Sequence, residues 1–174
     1  MSLQPLSPRR VITDTNLDSG LSHFSTSINE SVETEHKLGG TVFRLAYCFD
    51  RPTHSLKIPD DVPYLESIKS TATSPVVVPD HHTMIWYIDT PPGGATPLHR
   101  TLSLDVVVQI KGEIEVILDS GEKRVQKPGD VLIQKATAHA WRNHDQKKWS
   151  RMVGMMFAVD PITLNNGTQL EAII

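Results

Sequence analysis

The second half of the chain alternates apolar and polar residues in short runs. "HTMIWYIDT" (82–90), "LHRTLSLDVVVQI" (98–110), "GEIEVILD" (112–119), "KRVQKP" (123–128), "DVLIQK" (130–135), "HAWRN" (139–143) and "RMVGMMFAVD" (151–160) read as successive strands. The breaks "PPGG", "KGE", "DSGE" and "KPGD" have turn chemistry. Regular short strands with such turns predict a sandwich or small barrel, and no long amphipathic helical pattern competes. The first half is less regular. "GGTVFRLAYCFD" (39–50) predicts a strand after a Gly-Gly break, and "RRVIT" (9–13) a short one, with the rest of 1–40 as loop. Five prolines between Arg51 and Pro79 predict an irregular connector, with a short helical turn in "DVPYLESIKS". The organisation is thus an arm with additional strands (1–79), a barrel (80–160) and a tail (161–174).

Within this pattern "HRTLSLD" (99–105) is unusual. Period two puts His99, Thr101, Ser103 and Asp105 on one face and Arg100, Leu102 and Leu104 on the other. A half-buried strand turns its apolar face to the core, which would send a histidine and a carboxylate to solvent. Those two side chains are also the parts of acid–base and metal sites. "HAWRN" repeats the puzzle, with His139, Trp141 and Asn143 sharing a face.

Composition narrows the classes. The 174 residues fit one domain with extended termini, and 39% hydrophobic with 21% charged residues describe an ordinary globular chain. A net charge of -3 supplies no field for nucleic acid or an anionic membrane surface. Cys48 is the single cysteine, which excludes a disulfide framework and a thiolate metal cluster. No apolar run approaches the ~20 residues that span a bilayer. The N-terminal residues lack a secretory pattern. These features lead to the expectation of a soluble, cytoplasmic protein without nucleic-acid or membrane partners.

Residues 93–143 resemble the two-motif signature of the cupin superfamily. Gly93, His99, Thr101, Asp105 and Gly112 fall at the spacing of its first motif, with Thr101 where a second histidine is usual and Asp105 where glutamate is. Gly129, His139 and Asn143 match the second motif, while Gln134 and Ala136 stand where Pro and Gly are usual. The wording is similar to small single-domain cupins common in fungi, several of which accompany polyketide or other secondary-metabolite pathways. The resemblance implies an all-β fold, a double-stranded β-helix (cupin or jelly-roll barrel) with an N-terminal extension. It also implies that the polar face of 99–105 looks inward, beside the strand of His139, and that Leu102 and Leu104 look outward.

That placement leads to the functional expectation. His99, Asp105 and His139 become the catalytic set, with Asp105 as base, His139 as acid and His99 as orienter or electrophile. Thr101, Ser103, Trp141 and Asn143 become substrate-binding residues. The same His99, Asp105 and His139 could hold one divalent ion, Zn, Fe or Mn, as a facial triad. The expected activity is that of a decarboxylase, dehydratase or cyclase acting on a polyketide-like acid or phenol. An Fe(II) dioxygenase and a non-catalytic ligand-binding cupin are the alternatives. Outward leucines and open barrel edges predict a homodimer, with the arm crossing to the partner and Arg100 ion-paired at the surface.

Overall fold

The structure is a computed structural model and describes residues 4–16, 18–33, 35–50 and 77–174. The expected helical turn in "DVPYLESIKS" lies outside the described residues. Eleven strands are described: β1 (Thr13–Thr15), β2 (Ser22–Phe24), β3 (Glu35–Leu38), β4 (Thr41–Asp50), β5 (His82–Thr90), β6 (Ser103–Lys111), β7 (Ile114–Leu118), β8 (Lys123–Gln126), β9 (Val131–Lys135), β10 (His139–Arg142) and β11 (Ser150–Ala158). Among the described residues no helix is long and apolar enough to cross a membrane.

All pairings between these strands are antiparallel. A six-stranded sheet has the order β3-β4-β5-β11-β6-β9, a three-stranded sheet β10-β7-β8, and β1 and β2 form a ribbon. From β6 onward the chain passes between the two larger sheets, which closes them around a shared core. Phe43, Leu45, Met84, Trp86, Met152 and Met156 from the large sheet meet Ile114, Val116 and Trp141 from the small one. Alternation is what builds this core: β11 is buried at Ser150, Met152, Gly154, Met156 and Ala158 and half-exposed between them.

Two expectations are corrected. The strand over 98–110 begins only at Ser103. Its ladder with β11 ends at the Ser103–Ala158 pair, and the preceding residues cross to the small sheet, where His99 bridges His139 and Arg100 bridges Ile173. Residues 1–40 also carry more strand than their polar composition suggests, because β2 and β3 are held by pairing to β1 and β4 and not by burial of their own side chains. "RRVIT" supplies only the first residue of β1, while Arg9 bridges Ser31.

The outer face of the large sheet holds a buried ionic cluster. Asp89, fully buried, accepts from Arg44 Nη1 at 2.5 Å and from Arg151 Nε and Nη2 at 2.6 and 2.7 Å. Arg44 also pairs with Glu35 on β3. Arg151 Nη2 donates to Leu6 O at 3.0 Å, and Arg10 Nη1 donates to Ala46 O at 2.7 Å. These bonds hold Leu6 and Arg10 against the large sheet. Arg100 pairs with Asp119 at 3.7 Å at the barrel surface.

Candidate functional site

The alternation of 99–105 survives the bend between sheets, with its polar side inward. His99, Thr101, Ser103 and Asp105 are buried, while Arg100, Leu102 and Leu104 are half-exposed. The apolar residues face outward because the inner side is a cavity. His99, Thr101, Asp105, His139 and Trp141 line it together with Gln134, and apolar walls come from Phe43, Ile88 and Met156. His139 and Trp141 reach it from β10, opposite Leu118 and Val116 of β7. Their ring centroids are 5.3 Å apart, edge to face. The cavity measures about 20 Å³, room for about one ordered water.

Hydrogen bonds define the chemistry of each group. His99 Nδ1 lies 2.9 Å from Pro97 O, and His139 Nδ1 lies 2.9 Å from Thr137 O. A carbonyl only accepts, so His99 Nδ1 carries the proton and its Nε2 keeps a lone pair with no partner among the described residues. His139 Nδ1 instead faces both the Thr137 carbonyl, an acceptor, and the Gln134 amide nitrogen, a donor, which favour opposite tautomers. The two rings are 4.3 Å apart between centroids. Asp105 accepts from Ser103 Oγ at 2.5 Å and from Thr101 Oγ1 at 3.2 Å.

Burial sets the charge states. It pushes the Asp105 carboxyl up to about 6, against the Ser103 and Thr101 hydroxyls that favour the ion. Burial, and then the neighbouring His99, pull His139 down to about 3 against the Thr137 carbonyl. Burial also lowers His99, with the Pro97 carbonyl opposing. Near neutrality the site holds two uncharged imidazoles and one carboxylate able to reprotonate about one unit below. At that pH His139 is the uncharged imidazole, so it would have to take up a proton before it could donate one as an acid.

A divalent ion needs three or more donors converging on it. Among the described residues no group of three or more His, Cys, Asp or Glu is placed to hold one. Thr101, at the position of the second motif histidine, donates its hydroxyl proton to Asp105 and supplies no imidazole. The set does not fit a three-ligand centre, and no step is derived through a metal.

Of the remaining expected residues, Ser103 acts on the cavity through Asp105. Asn143 is a loop clamp away from it: Nδ2 donates to the carbonyls of Thr90, Pro91 and Lys148, and Oδ1 accepts from Asp145 N. Those bonds use both of its amide protons on backbone carbonyls. Gln134, which period two alone does not single out, is a site residue: 4% exposed, its amide nitrogen lies 2.7 Å from His139 Nδ1. Its signal in the sequence is a polar residue at an inward position of β9, alternating with Leu132. Ala136, where the family pattern has glycine, keeps the left-handed turn at φ 49° and donates its N–H to Ser103 O at 2.9 Å.

No family model matches the chain. Phomopsin biosynthesis cluster protein D of Diaporthe leptostromiformis is 37% identical over 158 residues, 91% of this chain and 82% of that protein. Oryzines biosynthesis cluster protein J of Aspergillus oryzae is 33% identical over 158 residues, 90% of this chain and 86% of that protein. A cupin-domain-containing oxidoreductase of Aspergillus ruber is 54% identical over 56 residues, 32% of this chain and 28% of that protein. Among solved structures, the polyketide cyclase RemF from Streptomyces resistomycificus shares 14% identity at a TM-score of 0.49, covering 82% of this chain and 78% of its own. Two relatives above 30% identity along nearly the whole chain, and a stretch shared with a cupin-domain protein, agree with the two-sheet roll and its inward histidines: the chain belongs to the cupin family, alongside the phomopsin and oryzines cluster proteins of fungi.

Proposed function

We propose that the chain is a small-molecule enzyme of secondary metabolism that works by proton transfer at Asp105, as a decarboxylase, dehydratase or cyclase acting on an acid or phenol. One observation carries this reading: a buried carboxyl held near 6 shares its cavity with two neutral imidazoles, of which His99 keeps its Nε2 free to accept. As the ion, Asp105 takes a proton from a C–H or O–H group of the substrate. As the acid, it returns that proton to the hydroxide that leaves in a dehydration. In a decarboxylation it gives the proton to the carbon that keeps the electron pair when carbon dioxide departs. His99 holds the substrate through a hydrogen bond to Nε2, and Trp141 supplies an apolar wall. A cavity of about 20 Å³ takes only the reacting group, so the body of the substrate lies outside it.

The second reading is redox chemistry at a divalent metal, supported by the partial relatives among cupin-domain oxidoreductases. It needs a third donor beside His99 and His139, which the described residues do not bring together. Comparative metabolite profiling of a strain lacking the gene separates the readings. The accumulated compound, given to purified protein with and without chelator, is expected to lose carbon dioxide or water, or to isomerise, in both conditions. A product with added oxygen, formed only without chelator, would overturn the proton-transfer reading.

The outer face of the large sheet supports a homodimer. Ile110, Val131 and Ile133 are 47–55% exposed, and β9, which carries two of them, is one of the two edge strands of that sheet. A second copy of the chain paired at this edge would cover them. Sedimentation is expected to give twice 19.4 kDa, and Ile133→Lys to give the single-chain mass; a wild-type chain that sediments only at 19.4 kDa ends this proposal.

A further inference from the structure

A second pocket adjoins the cavity through Gln134. It measures about 260 Å³ and opens between β8 and β9, with Val116, Leu118 and Leu132 as its apolar floor. Two of its wall residues hold buried polar atoms without partners, Gln134 Oε1 and Thr137 Oγ1. The Gln134 amide nitrogen meets His139 Nδ1, and its oxygen is left without a partner. Buried polar atoms are normally satisfied, so two orphans in one wall mark a place for a ligand's polar group.

The cation at the mouth is set by register. Arg124 lies opposite Val116 in the β7–β8 ladder, and directly opposed residues share a face, so Arg124 stands on the inner side with Val116. Lys123, opposite Ile117 on the other face, also borders the pocket, but its charge acts on Glu115. The Arg124 guanidinium donates to Lys123 O, and among the described residues no carboxylate pairs with it. Glu122, at the same rim, is exposed.

We infer that this second pocket binds a small carboxylic acid with an apolar body, its carboxylate at Arg124 and its polar far end at Gln134 and Thr137. The pocket itself stands on these contacts alone. That its occupant is the substrate of the neighbouring site rests on the proton-transfer reading, and Gln134, the one side chain shared by both spaces with a bond to a site histidine, then couples occupancy to His139 as a positioning residue.

The test uses 2-naphthoate as probe, with the full chain followed by NMR. Saturable binding is expected, with shifts at the Gln134 side-chain amide, Leu132 and the His139 ring nitrogens. Arg124→Met, on an exposed side chain, is expected to weaken naphthoate about tenfold. Neutral 2-naphthamide should bind wild type and Arg124→Met alike. Leu132→Trp fills the pocket and should remove both the binding and the His139 shift, and a preserved amide spectrum reports that the variant is folded. No saturation at millimolar probe, equal affinities of wild type and Arg124→Met for naphthoate, or shifts confined to the separate groove that Arg10, Tyr47, Tyr87 and Val153 line on the outer face of the large sheet, would each overturn the inference. If naphthoate binds as described while Asp105→Asn retains turnover, the pocket stands and the proton-transfer reading falls.

Discussion

Asp105→Asn is expected to lower turnover of the accumulated acid or phenol by about 10²- to 10⁴-fold, the range spanned by loss of a positioned general acid–base group. The amide keeps the shape and can still accept from Ser103 or Thr101, so the loss should appear in kcat with the fold intact. In wild type, the base form grows as pH rises through about 6, and the rate of a base-limited step should follow that ionisation. A wild-type rate flat from pH 5 to 8, or an Asp105→Asn variant within threefold of wild type, would exclude the role.

The same substitution has a signature in stability. The folded-state Asp105 carboxyl is raised from 3.8 to about 6, so its contribution is full below 3.8 and is lost as pH rises through 6. His139 is lowered from 6.5 to about 3, so its contribution is full above 6.5 and is lost as pH falls toward 3. Between about pH 4 and 6 the two slopes oppose each other. Removing the carboxyl should therefore steepen the acid-side loss of stability by up to ~1.4 kcal/mol per pH unit in that window. Urea midpoints of wild type and variant across pH 4–7 measure it, and parallel curves would count against a raised Asp105.

Asp89→Ala is expected to cost about 3–5 kcal/mol of folding stability, the range for removing one partner of a buried ion pair. Arg44 and Arg151 both point at Asp89 inside the molecule, and Arg44 is itself buried. Without the carboxylate, Arg44 keeps Glu35 alone, and Arg151 loses the anchor that aims it at Leu6 O. The cost is mainly that of leaving guanidinium groups desolvated and underpaired. The urea midpoint should fall at an unchanged m-value, and the arm should become more open to proteolysis. A loss below about 1 kcal/mol would show that water reaches the cluster freely.

Much of this protein was legible in the residues themselves. β7, β9 and β10 follow the written alternation closely, because each has a core face and an outer face and period two reports that directly, while β5 matches in extent but buries residues on both faces. The inverted run at 99–105 was legible as an anomaly. Its direction was not, since alternation says which side chains share a face and is silent on which face meets water. Arg44 and Asp89 illustrate a second limit. Each reads as a polar interruption in an apolar strand, and only the pairing of β4, β5 and β11 brings them to one another.

By itself the amino-acid order determined most strands and turns of the second half and the placing of His99 with Asp105 and of His139 with Trp141 on common faces, because those are local consequences of backbone geometry and side-chain type. Tertiary structure decided the rest. Closure of the two sheets turned the polar faces inward, and burial then separated the proton affinities of Asp105 and His139. The same closure spent Asn143 on a loop, engaged Asp105 with Thr101 and Ser103, and placed Gln134 between a small cavity and a larger pocket. Desolvation and convergence belong to space, and residues distant along the chain acquire them only when the fold brings them together.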